Sequence, residues 1–120
     1  MNTVQAFAKP VFISGVKGPN ALFVNGVYEV TSEISGGMPM YKKYNSNDVW
    51  LEYDSVTGEW LVKPTECKGG VDSDCYAYSS CDYGTLPERV PSGTWIVKAE
   101  EGFGDSNDYE SQPNTVVSLV

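Results

Sequence analysis

Cys67, Cys75 and Cys81 are the residues in this sequence best suited to do chemistry. They stand eight and six residues apart in a stretch rich in Asp, Gly and Tyr. A structural zinc site asks for four N or S ligands, commonly as CxxC pairs with imidazole partners. Here the spacing differs, the chain contains no histidine, and a fourth ligand would have to come from Asp72, Asp74 or Asp82. In an oxidising compartment three thiols give one disulfide and one remaining thiol, by any of three pairings. The sequence reading favours Cys81 bridged to Cys67 or to Cys75. In the cytosol all three stay reduced. A nucleophilic thiol would need a neighbouring base or cation to lower its pKa, and Lys68 is the basic residue close by in sequence.

Oxygen ligands are dense in DSNDYE, where Asp105, Asn107, Asp108 and Glu110 could face a calcium ion, and again in DSD with Asp72 and Asp74. Neither stretch follows the twelve-residue EF-hand loop with its central glycine and closing bidentate glutamate. Calcium is therefore the only cofactor suggested, and solvated acidic loops are the plainer account. Sixteen acidic residues do not single out a glycosidase pair, because only the separation of two carboxyls across a cleft defines one. GVKGPN has glycines but no lysine-hydroxyl ending to cradle a phosphate. Trp50, Tyr76, Tyr78 and Tyr83 would be the sugar-stacking rings of a carbohydrate-binding module. Ser118, Leu119 and Val120 fit the hydroxyl and apolar pattern that PDZ domains take by strand addition. An ordered edge strand beside the N-terminal VFIS is the simpler expectation.

The absence of histidine excludes Ser-His-Asp and Cys-His catalysis and imidazole-ligated zinc. Sixteen acids against eight bases give a formal charge of −8, a field that repels phosphate backbones, so nucleic acid is not an expected partner. No run approaches the eighteen or so apolar residues needed to span a bilayer, and MNTVQAFAKPVFIS lacks the basic start and apolar run of a secretory signal. Hydrophobic content of 41% in one domain's length suffices for one core.

Any of these side chains must be positioned by strands. The apolar segments are short, rich in Val, Tyr, Trp and Ile, and bounded by turn residues, without helical periodicity. Asn25-Gly26 in ALFVNGVYEV predicts a type I′ hairpin turn setting Val24 opposite Val27 and Phe23 opposite Tyr28. Breaks at 35–37 and 45–48 then make 22–63 a meander of about five strands. In VWLEYDSVTGEWLVKP a four-residue loop, 55–58, with Gly58 in the left-handed region, pairs Asp54 with Glu59. Alternation then places Val49, Leu51, Tyr53, Trp60 and Val62 on one apolar face and Glu52, Asp54, Glu59 and Lys63 on the other. Trp50 and Leu61 interrupt the polar face, which predicts that another strand or loop covers it. Residues 64–93 read as a long cysteine-bearing loop in which CYAYS could form a strand, followed by strands in GTWIVK and TVVSLV.

GPNA, NGVYE, SGGMPMYKK, WLEY, GEWLVKP, KGG, AYS, LPE, TWIV and QP, in this order, resemble a β-rich unit of about a hundred residues, an ordinary domain size. That unit recurs, often in tandem, in predicted proteins of microalgae and other protists. The resemblance covers 11–117 and implies no activity and no catalytic residue. Pro10 before VFIS and Pro113 before TVVS agree with a repeating unit.

These readings converge on a single all-β domain, 1–120 with its core unit at about 11–119: an antiparallel meander closing into a small barrel or sandwich. The expected function is a non-enzymatic β-module, a protein-interaction or spacer unit that serves as one copy of a tandem array, with a protein partner or neighbouring copies bound and no membrane insertion. The alternatives are a glycan-binding module and, third, a carboxylate-based hydrolase.

Overall fold

Most of the period-two patterns become strands in the computed structural model, which describes residues 7–69, 75–101 and 108–120. In chain order the elements are β1 (Val11–Ser14), α1 (Ala21–Val24), β2 (Gly26–Ser35), β3 (Met38–Lys43), β4 (Val49–Asp54) and β5 (Glu59–Pro64). The 3-10 turn η1 (Thr65–Cys67), β6 (Ala77–Ser80), the 3-10 turn η2 (Pro87–Arg89), β7 (Ile96–Lys98), β8 (Tyr109–Ser111) and β9 (Val116–Leu119) follow. Among the described residues nine strands join one antiparallel sheet in the order β8-β7-β6-β5-β4-β3-β2-β1-β9. The described strands thus make one sheet, curled into a half-barrel, and not two stacked sheets.

The β4–β5 hairpin has the expected register, with Asp54 opposite Glu59, Tyr53 opposite Trp60, Leu51 opposite Val62 and Trp50 opposite Lys63. Gly58 takes φ +73, a conformation that costs glycine nothing and other residues strain. Val49, Leu51, Tyr53, Trp60 and Val62 all enter the main core. There Trp60 meets Tyr41 edge-on at 5.8 Å and Tyr53 at 5.4 Å between ring centroids. β1, β2, β6 and β7 add Val11, Ile13, Tyr28, Ala77 and Val97 to the same interior.

The open side of the half-barrel is filled from the β6–β7 connection. Pro87 and Val90 are buried there, Leu86 packs on the core, and the Trp60 indole N–H donates to the Thr85 carbonyl at 2.8 Å. β8 and β9, at opposite ends of the strand order, are joined by residues 112–115, so the sheet curls far enough for one short turn to link its two edges. Gln112 clasps that junction: its backbone N–H donates to Trp95, and its side-chain amide accepts from the Lys17 N–H (2.7 Å) and donates to the Lys17 carbonyl (2.8 Å).

Two expectations are corrected. Asn25-Gly26 is not a hairpin turn, because 21–24 forms α1 and Asn25 is its C-terminal cap with φ −67 and ψ 137. The Asn25 side chain instead pairs with the Val16 backbone, accepting from its N–H (3.1 Å) and donating to its carbonyl (2.9 Å). A side-chain amide carries the same donor and acceptor as a strand residue and here replaces one. The 22–63 meander therefore contains four strands, β2 to β5, with β2 paired to β1. The 64–93 stretch is also not a single described loop: η1, β6 and η2 divide it, and 70–74 lie outside the described residues. β9 pairs with β1, and the Val120 N–H donates to the Pro10 carbonyl.

Candidate functional site

β5 ends at Pro64, and the chain then turns back over the outer face of the sheet. Met40, Trp50, Leu61 and Cys75 are buried but lie outside the main core, and two buried charges, Glu52 and Lys63, lie with them. Trp50, Glu52, Leu61 and Lys63 are the buried residues of the β4–β5 hairpin that alternation turns away from the core. Residues 65–69 form a strap across this face.

Each end of the strap is tied to β4. The Thr65 N–H donates to the Asp48 carbonyl (3.0 Å) and carboxylate (3.1 Å), and its hydroxyl donates to the Asn47 carbonyl while accepting the Trp50 indole N–H, both at 3.0 Å. Farther along, the Lys68 ammonium sits 4.1 Å from the Trp50 ring centroid and 2.6 Å from a Glu33 carboxylate oxygen. Lys42 approaches the same indole at 5.4 Å. The Gly69 N–H donates to both Glu52 oxygens, at 3.2 and 3.0 Å, and Lys63 reaches the same carboxylate at 2.9 Å. The Lys63 ammonium and the Gly69 amide of the strap thus occupy the carboxylate, leaving it engaged in holding the chain.

The four candidate sugar-stacking rings are distributed over different parts of the fold. Trp50 lies under the strap and is 9% exposed. Tyr76 is buried in the main core, stacked on Phe23 at 4.9 Å with 7° between planes. Tyr78 meets Tyr109 edge-on at 5.6 Å, and the Tyr109 hydroxyl donates to the Cys75 carbonyl. Tyr83 is 68% exposed and lies edge-on to Tyr53 at 5.9 Å. The sequence-predicted aromatics are therefore not brought onto one face.

Of the calcium candidates, Asp105 and Asn107 lie outside the described residues. The Asp108 carbonyl accepts from the Ala99 N–H, and the Glu110 carboxylate lies 3.4 Å from the Gln112 amide. Among the described residues no group of three or more His, Cys, Asp or Glu is placed to hold a metal ion.

Topology sets Cys81 apart from the other two cysteines. Cys67 closes η1 in the strap, Cys75 is buried at the head of β6, and Cys81 follows its far end, where the Cys81 N–H donates to the Gly58 carbonyl. Cys81 packs on the main core, and this burial pushes its thiol above the ordinary cysteine value.

Sequence reasoning expected a strand or loop over this face without identifying 65–69 as the strap, and missed the buried Glu52–Lys63 pair and the amide clasps of Asn20, Asn25 and Gln112. Asn20, fully buried, donates to the Lys98 (2.9 Å) and Glu100 (2.7 Å) carbonyls and ties the α1 segment to the end of β7. Only the strap announced itself, through the two apolar residues on an otherwise polar strand face.

Comparison with protein-family models, curated proteins and solved structures finds no match.

Proposed function

We propose that this domain is a non-enzymatic β-module, a protein-interaction or spacer unit and one copy of a tandem array. The observation that carries the reading is the Val11–Leu119 rung of the β1–β9 ladder. Chain running outward from these two strands emerges side by side at one end of the sheet, so a further copy attached there hangs beside the first without disturbing its core. Support comes also from the exposed apolar residues of this ladder, Phe12 and Val116 on its outer face (42 and 43% exposed) and Leu119 and Val120 at its end (50 and 74% exposed), which offer apolar contact to a neighbouring copy or protein partner. The groups with chemical capacity elsewhere are engaged in scaffolding: Glu52 and Lys63 with each other, Lys43 on the Leu22 and Phe23 carbonyls, Asn20 and Gln112 on backbone. In the same reading the half-barrel and its 81–94 plug act together as a small closed barrel.

The test is a fusion of two copies joined through a short flexible linker from residue 120 to residue 11. Small-angle scattering should show two separate beads, each copy should unfold at the single-copy urea midpoint, and a glycan array should stay flat. A fusion that fails to fold, or saturable glycan binding by the single copy, contradicts the proposal.

A further inference from the structure

We propose that Cys67 and Cys75 are an intramolecular redox pair that locks the strap onto the sheet, and that Cys81 takes no part. This goes beyond the spacer reading and does not depend on it. A disulfide needs Cα atoms within about 7 Å, and that limit decides among the three pairings. Cys75 and Cys81 lie at opposite ends of β6: the Tyr76 N–H, next to Cys75, donates to Val62, whereas the Cys81 N–H donates to Gly58. Six extended residues span roughly 20 Å at about 3.3 Å each, so these two cannot bridge while β6 is paired. Cys67 and Cys81 lie on opposite faces, since η1 belongs to the strap over Trp50 while Cys81 packs on the main core.

Cys67 and Cys75 share both an end and a face. β5 runs out through Pro64 into η1 at the end where β6 begins. A bulge then sets the face of Cys75. Val62 is the register partner of Ala77, yet the Tyr76 N–H also donates to the Val62 carbonyl, and Tyr76 and Ala77 both enter the main core. Two consecutive residues pointing inward opposite one partner reset the alternation. Cys75 therefore falls on the outer face, buried but outside the main core, with Trp50, Leu61 and Met40 under the strap that carries Cys67. Cys67 also lies near this end of β6, since after burial, Asp48 and Glu66 it is among the groups that push the Tyr76 phenol up.

Exposure sets the order of events. Cys75 is 0% exposed and Cys67 is half-buried, so Cys67 meets the oxidant. With a low-molecular-weight disulfide as that oxidant, the Cys67 thiolate attacks one of its sulfurs, forms a mixed disulfide and releases one thiol. Cys75, as thiolate, then attacks the Cys67 sulfur, closing the protein disulfide and releasing the second thiol. Two cysteines lose two protons and two electrons, and the small disulfide is reduced to two thiols.

The experiment treats the folded full chain with excess oxidised glutathione, alkylates remaining thiols, and maps bridges by mass spectrometry after proteolysis. The expected result is a Cys67–Cys75 bridge with Cys81 alkylated or glutathionylated, the same bridge in C81S, and a glutathione adduct stalled on Cys67 in C75S. The bridged protein should melt several degrees higher than the reduced one, with slower hydrogen exchange at the Gly69 amide. A bridge involving Cys81, or glutathione adducts on Cys67 with no Cys67–Cys75 bridge in the folded wild-type chain, overturns the proposal.

Discussion

The Glu52 carboxylate and the Lys63 ammonium meet at 2.9 Å on the outer face of the β4–β5 hairpin, with side chains 2% and 1% exposed. Removing one partner leaves the other charge buried alone, which typically costs about 3–5 kcal/mol. Glu52→Gln and Lys63→Met should each lower stability by that order in urea titrations. The double variant Glu52→Leu with Lys63→Met should recover most of the loss, because the surrounding Met40, Trp50 and Leu61 already form an apolar bed. Additive losses would show that the pair does not act as a unit.

The strap is expected to depend on one hydroxyl. Thr65→Val keeps the shape but removes the acceptor of the Trp50 indole N–H and the donor to Asn47. A buried donor left unpaired costs about 1–3 kcal/mol, and hydrogen exchange at the Lys68 and Gly69 amides should accelerate more than at β5 amides. Uniform acceleration across the sheet would mean that the strap does not open separately.

How far these features were legible in the sequence depends on where their partners lie. The β4–β5 register could be read because strand alternation and a four-residue loop are local rules, and Gly58 satisfies both. Asn25-Gly26 misled because the Asn25 amide is claimed by Val16, a residue nine positions away that no turn rule consults. The 65–69 strap draws its partners from Glu33, Asp48, Trp50 and Glu52 on separate strands and loops, so only Trp50 and Leu61 on a polar face hinted at it. The bridges to Cys81 could not be weighed from spacing for a similar reason: spacing does not reveal that the length of β6 stands between Cys75 and Cys81, or that Cys67 sits in the strap while Cys81 packs on the main core. The glycan-binding aromatics could not be tested by composition either, since stacking needs shared orientation and these four rings serve different neighbours.

Alkaline pH should unfold the domain through its buried phenols. Burial pushes Tyr28 and Tyr41 far above the ordinary tyrosine value, with the Glu88 charge adding to the effect on Tyr41. The folded state keeps both protons after the unfolded chain has released them. Their stabilising contribution is therefore complete below about pH 10 and is lost as pH rises further, at about 1.4 kcal/mol per pH unit for each tyrosine. Tyr41→Phe should remove one such contribution at little cost near neutrality, since the buried Tyr41 hydroxyl has no hydrogen-bond partner among the described residues. Urea midpoints measured between about pH 8 and 11.5 should show a shallower fall for the variant; an unchanged slope would remove Tyr41 from the account.

Gly15 marks the closest backbone approach at the sheet's junction. It has φ +88, and a Cβ there would lie 2.1 Å from the Asn114 carbonyl oxygen. Gly15→Ala must displace the 112–115 turn, and a loss of about 2 kcal/mol or more is expected from strain together with the collision. The clasp between Gln112 and Lys17 should loosen with it, visible as faster exchange of the Lys17 amide. A wild-type urea midpoint would contradict this.

The most direct test of the central claim, that both faces of the β4–β5 hairpin are covered so its rings maintain the fold, is acrylamide quenching of tryptophan fluorescence. Trp50, Trp60 and Trp95 are 9, 0 and 1% exposed. The account predicts blue-shifted emission and weak, uniform quenching in the native protein, rising sharply only when urea unfolds it. A red-shifted, readily quenched component in the native state that disappears in Trp50→Phe would show the outer face open and contradict the account.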